Sequence, residues 1–127
     1  MAILQETTIS GSVTHKEGTV ATSGTTLTLD LSTGTSFEVD MSSFTTGNID
    51  TLTVLNKTDT NHNRSFLLQV TQHNQNRNFT WSSINNVKWP GGTAPTLTTT
   101  NDKKDIYSFT TWDNGTTWYA RIIGQNY

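Results

Sequence analysis

Apolar side chains recur at every second residue in four separate stretches of this chain, and that spacing restricts it to β structure. In LTLDL, Leu27, Leu29 and Leu31 share one phase while Thr28 and Asp30 take the other. FEVDM repeats the pattern with Phe37, Val39 and Met41, TLTV with Leu52 and Val54, and SFLLQV with Phe66, Leu68 and Val70. A strand buried on one face needs this period of two, because successive side chains point to opposite faces. No window carries the longer period of an amphipathic helix. STGTS, between the first two runs, reads as the turn of a hairpin.

The second half of the chain continues the pattern. KTDTNHNR and HNQNRN read as polar loops. FTWSSI and VKWP read as short strands, the latter ending at Pro90, which has no N–H to give a ladder. PTLTTT reads as a further short strand. DIYSFTTW sets Tyr107, Phe109 and Thr111 opposite Ile106, Ser108 and Thr110, and TTWYARIIG follows it. Between these two, DNGT is the strongest hairpin signal, since Asn114-Gly115 suits positive φ at both turn centres.

The expectation is one all-β domain, an antiparallel, jelly-roll-like β-sandwich over residues 23–127, behind an extended N-terminal arm of residues 1–22. The arm has only scattered apolar residues, and Ile3, Leu4, Ile9 and Val13 are expected to order against a partner. Composition bears on whether so polar a chain folds at all. Hydrophobic residues make up 31% and charged residues 14%, with Thr, Asn and Ser filling the balance. Disordered chains pair low hydrophobicity with high net charge and few aromatics. Here the net charge is −2, with four Trp, five Phe and three Tyr, and the abundant Thr suits a pleated, half-exposed surface.

The same numbers exclude several classes of function. Lys103-Lys104, the densest basic pair, lies between Asp102 and Asp105, so no positive stripe is expected and nucleic acid is not a partner. No apolar run is long enough to span a bilayer, and MAILQETTIS lacks the basic start and apolar stretch of a signal peptide. The initial Met fits a whole gene product made in a cytosol. With no Cys, neither disulfides nor thiolate metal sites hold the fold.

Candidate chemistry is sparse. His15, His62 and His73 share no ligand spacing. DTNHN, residues 59–63, copies the first ligands of a calcium loop, but Arg64 stands where that loop needs Gly, and Val70 where it needs an acid. Asp30, Glu38, Asp40, Asp102, Asp105 and Asp113 are the candidates for a glycosidase pair, but most take the outward phase of a strand or a turn, where solvation is the ordinary explanation. No G-x-S-x-G elbow is present, and PGGTAPT lacks the Lys of a phosphate loop. The expectation is a protein that is not an enzyme and has neither cofactor nor metal.

The aromatic residues carry the remaining signal. Trp89-Pro90-Gly91-Gly92 reads as a structural corner, with the ring in the core, the proline ending a strand and the glycines permitting the bend. Trp112, Trp118 and Tyr119 are candidate surface rings for stacking on a sugar, with core packing as the competing reading. As neighbours in a strand, Trp118 and Tyr119 must face opposite ways.

Three phrases extend this reading: GTVATSGTTLTLDLSTGTSFEVDM, VKWPGGTAPTLT and DIYSFTTWDNGTTWYARIIGQNY. Together they resemble a β-rich module of tailed bacteriophages, frequent in marine phages. In that module a T-L-D-L-S-T-G-x-x-F hairpin precedes a K-W-P-G-G-T-A-P-T-L corner, and a strand pair with a G-Q-N-aromatic terminus follows. The likeness spans about residues 18–127, although the middle, from Asn56 to Thr80, matches only in strand character. Its turn is usually Asp-Gly-Gly, where this chain has Asp113-Asn114-Gly115.

The resemblance implies a virion structural protein of sandwich-like fold, found in head decorations, tail fibres or tail-associated proteins, and it brings no catalytic residues. A single domain without heptads or fibrous repeats favours a capsid decoration or accessory protein over a tail-fibre or receptor-binding component. The expected partners are the major capsid protein or tail proteins and further copies of the chain in a homo-oligomer such as a trimer. A host surface glycan is the partner on the alternative reading. The expected location is the virion.

Overall fold

In the computed structural model, residues 16–44, 47–58, 63–74, 77–84 and 86–127 are described. Eight strands form: β1 (Thr19–Ser23), β2 (Thr26–Asp30), β3 (Ser36–Asp40), β4 (Thr51–Leu55), β5 (Arg64–Thr71), β6 (Val87–Lys88), β7 (Lys104–Thr111) and β8 (Trp118–Gly124). They divide into a three-stranded sheet, β1-β2-β4, and a five-stranded sheet, β3-β5-β7-β8-β6. One apolar core joins both sheets, with Leu27, Leu29, Leu52 and Val54 from the smaller meeting Phe37, Phe66, Leu68, Tyr107, Phe109 and Trp118 from the larger. The protein is an all-β sandwich, and the alternating residues singled out in the sequence supply its interior.

The neighbours within each sheet differ from the antiparallel, jelly-roll-like order expected. β1–β2, β5–β7 and β7–β8 are antiparallel, but β2–β4, β3–β5 and β6–β8 are parallel. The expected hairpin between β2 and β3 does not form, since these strands lie in opposite sheets. The chain turns at Asp30, whose side chain accepts from the backbone N–H of Ser32 at 2.9 Å, and Leu31 is buried directly afterwards. It then crosses to the other sheet, where Thr35 and Ser36 both donate to the Lys16 carbonyl. Alternation shows which face a strand buries but not which strand lies beside it.

β1 pairs with β2 from Thr19 to Ser23, so the expected arm boundary at residue 22 falls inside a sheet strand. Ile3, Leu4, Ile9 and Val13 lie outside the described residues. Two further expected strands are replaced. FTWSSI becomes a single bridge, Phe79 with Ile49, followed by a 3₁₀ turn at Trp81–Ser83. Phe79 and Trp81 stack at 4.5 Å, and burying both rings against the core bends the chain there. PTLTTT forms no ladder because side chains take up its backbone groups. Thr98 N–H donates to Asp105 at 2.8 Å, while the carbonyls of Thr98 and Thr96 accept from Gln72 and Gln125.

Candidate functional site

The outward faces of β5, β7 and β8 lie side by side and bring Ser65, Leu67, Ser108, Thr110, Tyr119 and Arg121 to one surface. In register, Ser65 opposes Thr110, Leu67 opposes Ser108, Thr110 opposes Tyr119 and Ser108 opposes Arg121. Together with Thr35, Pro90 and Trp112 these residues line a groove of about 710 Å³. Its floor is hydroxylated, with Ser65 Oγ and Thr110 Oγ1 2.9 Å apart. Its walls are aromatic and cationic.

The two aromatic walls owe their exposure to strand phase and turn chemistry. Trp118 takes the inward position of β8 and is fully buried, 4.9 Å from Phe66 and edge-on to it. The expectation that Trp118 offers a surface ring is therefore corrected, because a sheet already short of apolar mass draws its largest side chain into the core. Tyr119 faces out and is 55% exposed. Trp112 follows the end of β7 and is 69% exposed.

Trp112 stands beside a turn built around the buried hydroxyl of Thr111. That oxygen donates to Asp113 Oδ1 at 3.0 Å and accepts from the backbone N–H of Gly115 at 2.8 Å. Asp113 Oδ1 also accepts from Thr117 N–H at 2.8 Å, and this bond holds the carboxyl below the ordinary range. Asn114 and Gly115 have φ of 57° and 80°, the left-handed pair that their sequence implies.

The corner lies next to the groove. Trp89 is half-buried and meets Trp81, Tyr107 and Phe109 edge-on at 4.8, 5.9 and 6.2 Å. Pro90 opens a 3₁₀ turn, and Gly91 and Gly92 follow with φ of 66° and 74°, values that a side chain would strain. Pro90 thereby reaches the groove wall while the Trp89 ring stays on the core.

Each of the six candidate acids has a structural duty. Asp30 accepts from Ser32 and Asn56, Glu38 from Gln69, Asp40 from Ser42 and Asp102 from Asn101. Asp105 corrects the expectation of a solvated acid, for it is 1% exposed. Its position in β7 has the inward phase of Tyr107 and Phe109. Asp105 Oδ2 accepts from Thr98 N–H, Tyr107 Oη–H and Gln125 Nε2, and Oδ1 accepts from Asn126 N–H. Burial pushes this carboxyl upward, but the hydrogen bonds from Thr98, Asn126 and Gln125 outweigh it and leave the group below the ordinary range. Tyr107 moves up, through burial first and then the neighbouring Asp105 charge.

His73 is half-buried at the end of the β5 segment, while His15, His62 and most of the DTNHN stretch lie outside the described residues. Among the described residues no three His, Cys, Asp or Glu gather in a way that could hold a metal ion, and no helix is long and apolar enough to cross a membrane. No protein-family model, no curated protein and no solved structure matches this chain.

Proposed function

We propose that this chain is a structural protein of a tailed-phage particle, a decoration or accessory subunit fixed to a larger shell, with a role in assembly and not in catalysis. The observation that carries this reading is how the three phrases of the phage resemblance fit together. Trp89 of the second phrase packs on Tyr107 and Phe109 of the third. Thr96 and Thr98 of the second bind Gln125 and Asp105 of the third. Phe37 of the first meets Phe66 beneath that same cluster. The likeness thus falls on residues that build one interlocked framework, which argues for a shared scaffold. The employment of all six candidate acids in hydrogen bonds supports an inert role.

In this reading the residues ahead of β1 engage the major capsid protein or a neighbouring copy, with Ile3, Leu4, Ile9 and Val13 as apolar contacts, and the sandwich projects outward. Copies occupy symmetric positions, as a trimer would. Deleting residues 1–15, which leaves β1 intact, is expected to give a folded domain that no longer joins particles. Electron microscopy of particles mixed with each form checks this, and a truncated protein that still decorates them defeats the assignment.

A second reading, a tail component that contacts host glycans, is favoured by the exposed Trp112 and Tyr119 beside a hydroxylated groove.

A further inference from the structure

We propose that the groove on the outer face of the five-stranded sheet binds an acidic saccharide, a short glycan whose pyranose ring carries a carboxylate. The proposal rests on the groove being a sugar-contact surface, and it does not depend on where the protein sits in a particle.

Three features of the groove define the ligand. Trp112 and Tyr119 are 69% and 55% exposed, whereas every other aromatic ring among the described residues except Tyr127, at 60%, is buried or half-buried. Flat aromatic faces in water pair with the flat C–H faces of a pyranose, removing apolar surface from solvent on both sides. The floor between them presents the hydroxyls of Ser65, Ser108 and Thr110. A hydroxyl donates once and accepts twice, as does each hydroxyl of a sugar, so neighbouring hydroxyls on both partners can form matched networks. A purely apolar ligand would leave the remaining hydrogen-bonding capacity of these hydroxyls unused, beyond the bond between Ser65 and Thr110.

Arg121 sets the charge. It lies opposite Ser108 in the β7–β8 register and is the one charged side chain lining the groove among the described residues. Arg121 is exposed, and its guanidinium makes no hydrogen bond or ion pair with another described residue. A guanidinium fork receives a carboxylate through two parallel hydrogen bonds, which a neutral sugar cannot offer. The chain as a whole carries a net charge of −2, so this cation is a local feature of the groove and not part of a general positive surface. A volume of about 710 Å³ fits a short saccharide and lies within the span of ordinary ligand sites.

The test titrates the full-length chain with methyl glucuronide and methyl glucoside, a pair differing in the carboxylate alone. Binding is followed by NMR chemical shifts, alongside a glycan array that includes sulfated sugars. Arg121→Gln and Trp112→Ala both alter exposed side chains, and unchanged thermal unfolding would show that each variant is folded. The expected result is preference for the glucuronide, with affinity falling about tenfold or more in each variant.

Equal affinity for the two sugars with Arg121→Gln indifferent overturns the acidic class and leaves the sugar surface standing. Preference for sulfated over carboxylated glycans also overturns the carboxylate. Silence across the array, or a groove covered by a second copy in sedimentation, overturns both the acidic ligand and the sugar surface. Particle imaging tests the virion reading separately, so its failure is distinguishable from either.

Discussion

The backbone N–H of Asn126 donates to Asp105 Oδ1 at 3.0 Å, which fastens the end of the chain to the start of β7. The other oxygen of the same carboxylate holds Gln125 and the extended segment at Thr98. Asp105→Asn keeps the shape but presents an amide N–H₂ to groups that are themselves donors. The expected loss is about 3 kcal/mol in denaturant unfolding, as for buried donors left without acceptors.

A pH dependence follows from the same carboxyl. Its folded-state pKa lies below the ordinary value, so its stabilisation is complete above the unfolded-state pKa, about 4, and disappears as pH falls through the folded value. Asp30, Asp40 and Asp113 are lowered too, by hydrogen bonds from Ser32, Ser42 and Thr117, and lose their contributions in the same direction. The wild-type chain is therefore expected to lose stability below about pH 4, and Asp105→Asn to show a shallower decline. Midpoints of urea unfolding between neutral pH and pH 3 check both. Identical slopes would remove Asp105 as a contributor.

The aromatic residues should separate by burial. Trp118→Ala empties a fully buried site and is expected to cost about 3–5 kcal/mol, with Trp89→Ala at or just below the lower end of that span. Trp112→Ala, at 69% exposure, is expected to stay within about 0.5 kcal/mol of wild type. Chemical denaturation of the three variants tests the order. A Trp112→Ala loss as large as that of Trp118→Ala would mean that the ring belongs to the core.

Which of these features were legible in the sequence depends on whether they are local. The face buried by Leu27 and Leu29, by Phe66 and Leu68, and by Tyr107 and Phe109 follows from alternation along one strand. The Asn114-Gly115 turn follows from backbone sterics alone. The burial of Asp105 was also readable, for it shares the phase of Tyr107 and Phe109, but a carboxylate in that position made the outward reading the easier one. The choice between Trp118 and Tyr119 was not readable, since adjacent residues show only that one must face in. The parallel pairings and the groove lay furthest from view. The pairings set β2 beside β4, β3 beside β5 and β6 beside β8, and the groove needs β5 beside β7, all of them contacts between segments distant in sequence.

The crossing from β2 to β3 gives a sharper test of the same point. Gly34 is buried where the chain passes Lys16, and a Cβ there would overlap the Lys16 carbonyl oxygen. Gly34→Ala is expected to destabilise by about 1–3 kcal/mol, as overpacking does. A hairpin turn open to solvent would accept the extra methyl with little change. Thermal unfolding of this variant distinguishes the crossing from the hairpin.

The Thr111 hydroxyl links stability to the groove, because it both donates and accepts within the turn that carries Trp112. Thr111→Val preserves shape but leaves the Gly115 N–H without its acceptor inside a buried turn. The expected cost is about 1–3 kcal/mol. Local opening should rise with it, so hydrogen exchange at Gly115 should quicken more than at Phe109 in the centre of β7. If Trp112 forms one wall of a ligand groove, loosening its mount should also weaken saccharide binding while Arg121 remains in place. Exchange that rises equally at both amides would mean that the hydroxyl supports the whole sandwich and not the turn.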